Sequence, residues 1–143
     1  MAKPLKINVI GGGPGGLYFS ILMKLQNPAH DITVFEQNRP DDTFGFGVVF
    51  SDETLENFMG KDPVTYQEIL NQFAYWNEIE VRYQGERVRS GGHGFAGMAR
   101  MTLLNIFQKR CIDLGVKMNF ETIIDDLDQV READLVLAAD GVN

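Results

Sequence analysis

A glycine-rich turn near the start of the chain carries the most specific chemical signal. Gly11, Gly13 and Gly16 fit the spacing G-x-G-x-x-G, and Glu36 follows Gly16 by about 20 residues. In dinucleotide-binding folds, such glycines let the backbone approach a pyrophosphate closely, and the later carboxylate accepts hydrogen bonds from the adenosine ribose hydroxyls. The pattern therefore predicts a site for the ADP half of a dinucleotide.

The segments around the turn have the order that this site requires. Residues 6–10 form an apolar strand candidate, a helix with Leu17 and Ile21 on one face follows the turn, and residues 32–36 form a second strand that ends on Glu36. Pro14 suits the first helical turn, whose free N–H groups favour phosphate. A carboxylate at Glu36 would repel a 2′-phosphate, which argues against NADP at this site. The alternative, a glycine turn without a ligand, is disfavoured by this context.

Composition excludes several classes of function. The chain has 143 residues, 44% hydrophobic composition and a net charge of −7, so a broad basic surface for nucleic acid or anionic lipid is not expected. One cysteine excludes an internal disulfide, and two histidines with that cysteine predict no metal-ligand cluster. No apolar run reaches the length of a membrane span, and the glycines come too early for a signal peptide. We therefore expect a cytoplasmic protein.

The distance between the second and third parallel strands indicates an insertion. Residues 37–115 separate Glu36 from the strand predicted at residues 116–120, and they contain two helix patterns, a hairpin at residues 79–89 and a glycine-rich loop at residues 90–95. A helix beginning near Arg100 precedes the third strand, and residues 135–139 form a buried apolar strand. Right-handed crossovers then give the spatial order 116–120, 32–36, 6–10, 135–139, with the hairpin outside this sheet.

The chain resembles the N-terminal part of the FAD-dependent aromatic hydroxylases, the single-component flavin monooxygenases. The resemblance rests on the glycine turn with Glu36, the segment Gly45-Phe46-Gly47-Val48, Arg100 at the head of a helix, and Asp140-Gly141 after an apolar strand. It implies an α/β, Rossmann-like FAD-binding domain with a mostly parallel sheet and an inserted segment of helices and a β-hairpin. It also implies that residues 1–143 are the N-terminal portion of that domain, with the start of a substrate-side sheet at about residues 77–90.

The resemblance implies a reaction and a set of site residues. The family uses FAD, NAD(P)H as co-substrate and O₂ to hydroxylate an aromatic ring, and residues 39–55 are similar to hydroxylases of aromatic coenzyme A thioesters. The cofactor-binding residues that it implies are Gly11, Gly13, Pro14, Gly15, Gly16, Glu36, Gln37, Arg39, Gly45, Gly47, Val48, Arg100, Asp140 and Gly141. His93 is a weak catalytic candidate, and the alternative for it is a histidine that orders its loop.

Two further classes of function stay open beside the hydroxylase. One is an NAD-dependent oxidoreductase, and the other is a dinucleotide-binding module without catalytic activity. The sequence stops inside the Asp-Gly motif, before later motifs of the family, so we expect these residues alone to be inactive and to self-associate through exposed apolar surface. The expected partner is a small aromatic substrate, with no nucleic acid and no membrane.

Overall fold

Two sheets and four helices make up the part of the chain that the computed structural model describes, residues 3–141. The elements in chain order are β1 (Lys6–Ile10), α1 (Pro14–Gln26), β2 (Asp31–Phe35), β3 (Gly47–Ser51), α2 (Asp52–Lys61), α3 (Pro63–Leu70), β4 (Ala74–Tyr83), β5 (Glu86–Ala99), α4 (Arg100–Asp113), β6 (Lys117–Asn119) and β7 (Leu135–Ala138). A 3-10 turn at Leu127–Gln129 precedes β7.

The first sheet is parallel and carries the glycine turn at its carboxyl edge. Its strand order is β6-β2-β1-β7, which confirms the order expected from the sequence. The expectation that the last strand is buried was wrong, because Leu135 is 39% exposed. The physical reason is that β7 is an edge strand with a neighbour on one side only. The α/β class with a mostly parallel sheet is confirmed.

The second sheet is antiparallel and has the strand order β3-β5-β4. The hairpin expected at residues 79–89 lies outside the parallel sheet, as expected, but it is longer, and the loop expected at residues 90–95 is part of β5. The glycines there allow a bulge rather than a loop: Gly92 has a φ of +81°, and the pairing with β4 shifts register between Trp76 and Glu78. The strand then continues and pairs with β3.

The core lies between the parallel sheet and helices α1 and α4. Ile7, Val34, Leu17 and Phe107 are almost fully buried, and α4 is therefore the crossover helix that returns the chain from the insertion to β6. Cys111 packs in the same core, where its thiol donates to the carbonyl of Leu17 at 3.4 Å. Burial raises the pKa of that thiol to about 12, so Cys111 is a packing residue rather than a nucleophile.

Candidate functional site

The glycine turn is held by two positions at which a side chain has no room. Gly11 leaves β1 with a φ of +104°, its N–H donates to the carbonyl of Phe35 at 2.8 Å, and a Cβ there would lie 2.3 Å from the carbonyl oxygen of Ala139. A Cβ on Gly16 would lie 2.1 Å from the carbonyl oxygen of Gly11. These two glycines therefore bring the start of α1 into contact with the end of β1.

Two further glycines of the turn, Gly13 and Gly15, face open space. No atom lies within 4 Å of the position that a Cβ would take on Gly13 or Gly15. Gly13 is the N-cap residue of α1 and Pro14 opens the helix, so the N–H groups of Gly15 and Gly16 have no intrahelical acceptor. No acidic side chain lies in the first turn to neutralise them. The arrangement offers free N–H donors and the positive end of the helix dipole to an anion.

The carboxylate of Glu36 is held beside this turn by backbone N–H groups. One of its oxygens accepts from the N–H of Gly12 at 2.6 Å, and the other accepts from the N–H and the side-chain amide of Asn38, each at 2.8 Å. Glu36 is half-buried, and the carboxylate oxygen that accepts from Gly12 has capacity for a further donor. The sequence analysis identified Glu36 but missed Gly12 and Asn38, the two residues that orient its carboxylate. The sequence signal for Asn38 was a polar residue two positions after the acid.

A cleft joins the glycine turn, the loop after Glu36 and the first turns of α4. The residues that line it include Gly12, Gly13, Glu36, Asn38, Arg39, Asp42, Thr43, Phe44, Arg100, Leu104 and Gln108. Two buried polar atoms in its wall, the hydroxyl oxygen of Thr43 and Nε of Arg100, have no hydrogen-bond partner. Buried polar groups are normally paired, so a polar ligand or an ordered water in the cleft would supply the missing partners.

A larger groove lies elsewhere, between α3 and α4. Its empty volume is about 620 Å³, compared with about 370 Å³ for the cleft at the glycine turn. Its lining includes Thr65, Asn105 and Arg110, and none of the residues implicated by the sequence. Size alone therefore does not locate the site, because the residues with buried polar atoms that lack a partner, Tyr18, Thr43 and Arg100, do not line the larger groove.

The segment after the loop contacts the head of α4 through its backbone. The carbonyl of Phe46 accepts from the N–H of Arg100 at 3.2 Å, and a Cβ on Gly45 would lie 3.9 Å from the Arg100 side chain. Gly47 and Val48 belong to β3, where a Cβ on Gly47 would lie 2.9 Å from a backbone oxygen of β5. The structure thus brings Gly45 close to Arg100, while Gly47 and Val48 are part of the second sheet.

The remaining residues implicated by the sequence lie around the turn or away from it. Asp140 is exposed beside Gly11 at the end of β7, followed by Gly141 with a φ of +90°. Arg39 lines the cleft and forms an exposed ion pair of 3.6 Å with Glu121. Gln37 is exposed and does not line the cleft. Their roles in cofactor binding stay predictions.

His93 lies on the bulge of β5 and not in the lining of the cleft. Its Nε2 is hydrogen-bonded to the hydroxyl of Ser90 at 2.7 Å, and its ring lies 6.0 Å from that of Phe95. These contacts favour a role in ordering the bulge. A chemical role for His93 stays a prediction.

The fold is of the α/β class, with a parallel sheet and an inserted antiparallel sheet. Comparisons with known proteins show what the chain is similar to. No protein-family model matches the chain. The chain is 47% identical to salicyloyl-CoA 5-hydroxylase from Streptomyces sp over 139 residues, which are 97% of this chain and 27% of that protein. It is 31% identical to 3-hydroxy-4-methyl-anthranilyl-[aryl-carrier protein] 5-monooxygenase from Streptosporangium sibiricum over 96% of this chain and 38% of that protein.

A solved structure supports the fold. The structure of 2-methyl-3-hydroxypyridine-5-carboxylic acid oxygenase matches with a TM-score of 0.72 and 23% identity, over 84% of this chain and 32% of that one. The resemblance to aromatic-ring hydroxylases that the sequence indicated is confirmed. The chain spans 27% and 38% of the length of these two curated relatives.

Among residues 3–141, no helix combines the length and the apolar character needed to cross a membrane. The same residues contain no group of three or more His, Cys, Asp or Glu side chains that could hold a metal ion.

Proposed function

We propose that this chain binds the ADP half of FAD as part of a monooxygenase that hydroxylates an aromatic substrate with NAD(P)H and O₂. The observation that carries the proposal is the Glu36 carboxylate, which Gly12 holds at 2.6 Å against the glycine turn. A carboxylate fixed at the end of the second parallel strand, beside a helix N-terminus, is the arrangement that receives an adenosine ribose and a pyrophosphate together.

The residues around the cleft fit FAD in charge and in hydrogen-bonding capacity. The unpaired Nε of Arg100 and the free N–H groups at the start of α1 are donors for phosphate oxygens, and Glu36 is an acceptor for ribose hydroxyls. When bound, FAD supplies the redox chemistry and the activation of O₂. The residues of this chain bind the nucleotide, orient it and neutralise its charge.

We further propose that the substrate is an aromatic acyl thioester. The relative at 47% identity is named for a coenzyme A thioester, and the relative at 31% identity is named for an aromatic acyl group on a carrier protein. Both names place the aromatic acid on a carrier rather than free in solution. The test uses a longer polypeptide that contains this chain: O₂-dependent oxidation of NAD(P)H should be stimulated by salicyloyl-CoA and far less by salicylate. Equal stimulation by the free acid would reject the thioester.

Replacement of Glu36 by Gln is expected to weaken FAD binding by roughly 30-fold, which corresponds to about 2 kcal/mol for hydrogen bonds to a charged acceptor. The side-chain shape is kept, so the loss reports the carboxylate and not a cavity. Glu53→Gln, at an exposed position in the first turn of α2, is the matched control and should bind FAD as the original chain does. Titration with FAD, monitored by flavin fluorescence, measures the FAD affinity of both variants.

The same titration separates the two alternative functions. An NAD-dependent oxidoreductase would bind NAD⁺ more tightly than FAD, and Glu36→Gln would then weaken NAD⁺ binding in the same way. A non-catalytic module would bind FAD, yet the longer polypeptide would show no substrate-stimulated oxygen consumption. Absence of binding to either dinucleotide would reject the proposed site.

A further inference from the structure

The lining of the cleft at the glycine turn includes both acceptors and donors of hydrogen bonds. Glu36 is an acceptor, because an ionised carboxylate can only accept. Arg100 and Thr43 also line the cleft, and each has a buried polar atom without a partner. A guanidinium has donors and no acceptor, so the group that satisfies Arg100 must itself be an acceptor.

The loop that carries Thr43 is anchored rather than free. The side-chain amide of Gln108 on α4 donates to the carbonyl of Pro40 at 3.0 Å, and the N–H of Asp42 donates to the carbonyl of Arg39 at 3.2 Å, which closes a turn. The turn leads directly into Thr43. The unpaired hydroxyl is therefore held in the wall of the cleft by contacts from α4 and from the loop itself.

We propose that Thr43 is a pyrophosphate-binding residue, whose hydroxyl donates to a phosphate oxygen of the dinucleotide while Arg100 supplies the opposing charge. The inference rests on the proposed function. A nucleoside diphosphate matches the polarity of the cleft, because its ribose hydroxyls are donors for Glu36 and its phosphate oxygens are acceptors for Thr43 and Arg100. Adenosine alone satisfies only Glu36.

Binding of FAD, ADP and adenosine to the variants Thr43→Val and Thr43→Ser tests this assignment. Thr43→Val should weaken ADP and FAD binding by about 10-fold and leave adenosine binding unchanged, since only the phosphate contact is lost. Thr43→Ser keeps the hydroxyl and should bind all three ligands within about 2-fold of the original chain. Competition against FAD fluorescence gives the three affinities.

A second readout separates ligand binding from a role in the fold. Because the hydroxyl has no partner in the protein, Thr43→Val without ligand should melt at the original temperature or slightly above it. Unchanged ADP affinity in Thr43→Val, or equal loss for ADP and adenosine, would overturn the assignment, as would a melting temperature lowered by several degrees. Failure of the original chain to bind ADP or FAD would instead reject the proposed function.

Discussion

Gly16→Ala is expected to destabilise the fold strongly. A Cβ at this position would lie 2.1 Å from the backbone oxygen of Gly11 and 3.1 Å from a methyl group of Val9. A backbone oxygen at the end of a central strand cannot move without breaking the junction of β1 and α1. Overpacking of this kind destabilises by about 3 kcal/mol or more, a large share of the stability of a small domain. Thermal unfolding, monitored by circular dichroism, measures the loss of stability.

Gly13→Ala is the matched variant, and it should fold and fail to bind. Gly13 has a φ of −73°, which alanine adopts freely, and no atom lies within 4 Å of the added methyl group. The methyl group would instead occupy the space through which the pyrophosphate approaches the turn. We expect an unchanged melting temperature and FAD affinity lowered at least about 10-fold. Full FAD affinity in Gly13→Ala, or an original melting temperature in Gly16→Ala, would contradict this account of the turn.

Asp62→Ala is expected to lower the free energy of unfolding by about 3–5 kcal/mol, because it leaves a largely buried arginine without its partner. The Asp62 side chain is 1% exposed, and it accepts from Nε and Nη2 of Arg110, each at 2.9 Å, and from the hydroxyl of Thr65 at 2.6 Å. These bonds tie the junction of α2 and α3 to α4. The measurement is urea unfolding of the variant and the original chain.

The exposed ion pair of Asp31 and Lys117 provides the control. Its two charged atoms are 2.8 Å apart, but the side chains are 53% and 63% exposed. Removal of Asp31 by an alanine substitution should therefore change the free energy of unfolding by less than about 1 kcal/mol. Similar losses in the two variants would mean that burial does not govern the strength of the Asp62 pair.

The Asp62 pair also makes stability depend on pH. Burial would raise the pKa of Asp62, but the hydrogen bonds from Arg110 and Thr65 outweigh it and hold the pKa below the usual range. A carboxyl with a lowered pKa stabilises the fold above its ordinary pKa of about 4, and the stabilisation is lost as pH falls through the value in the folded state. The difference in unfolding free energy between the original chain and Asp62→Asn should therefore shrink below about pH 4. If the difference in unfolding free energy stays constant down to pH 2, the lowered pKa of Asp62 is contradicted.

The parallel sheet and the glycine turn could be predicted because their signals are local. The periodicity of β1, α1 and β2, and the spacing from Gly16 to Glu36, are set within the first 36 residues. The order of the four strands then follows from the handedness of crossovers. No tertiary information was needed for these elements.

The bulged strand β5 could not be predicted, because its conformation depends on partners far along the chain. Glycines 91, 92 and 94 have low strand propensity and indicated a loop, yet Gly91 pairs with β4 and the residues from Phe95 onward pair with β3 and β4, which keeps the segment in the sheet. The same limit applies to Thr43, whose buried hydroxyl becomes visible only when the loop and α4 are placed together. Asp62 and Arg110 are similarly separated in sequence and meet only through packing of α3 on α4.

The central claim, that this chain binds FAD through its ADP half, is tested most directly by titrating the purified chain with FAD and with FMN and then displacing bound FAD with ADP. FMN has the flavin and one phosphate but no adenosine. The account predicts that FAD binds, that ADP displaces it, and that FMN binds far more weakly. Binding of FMN as tight as that of FAD, or FAD that ADP cannot displace, would contradict it.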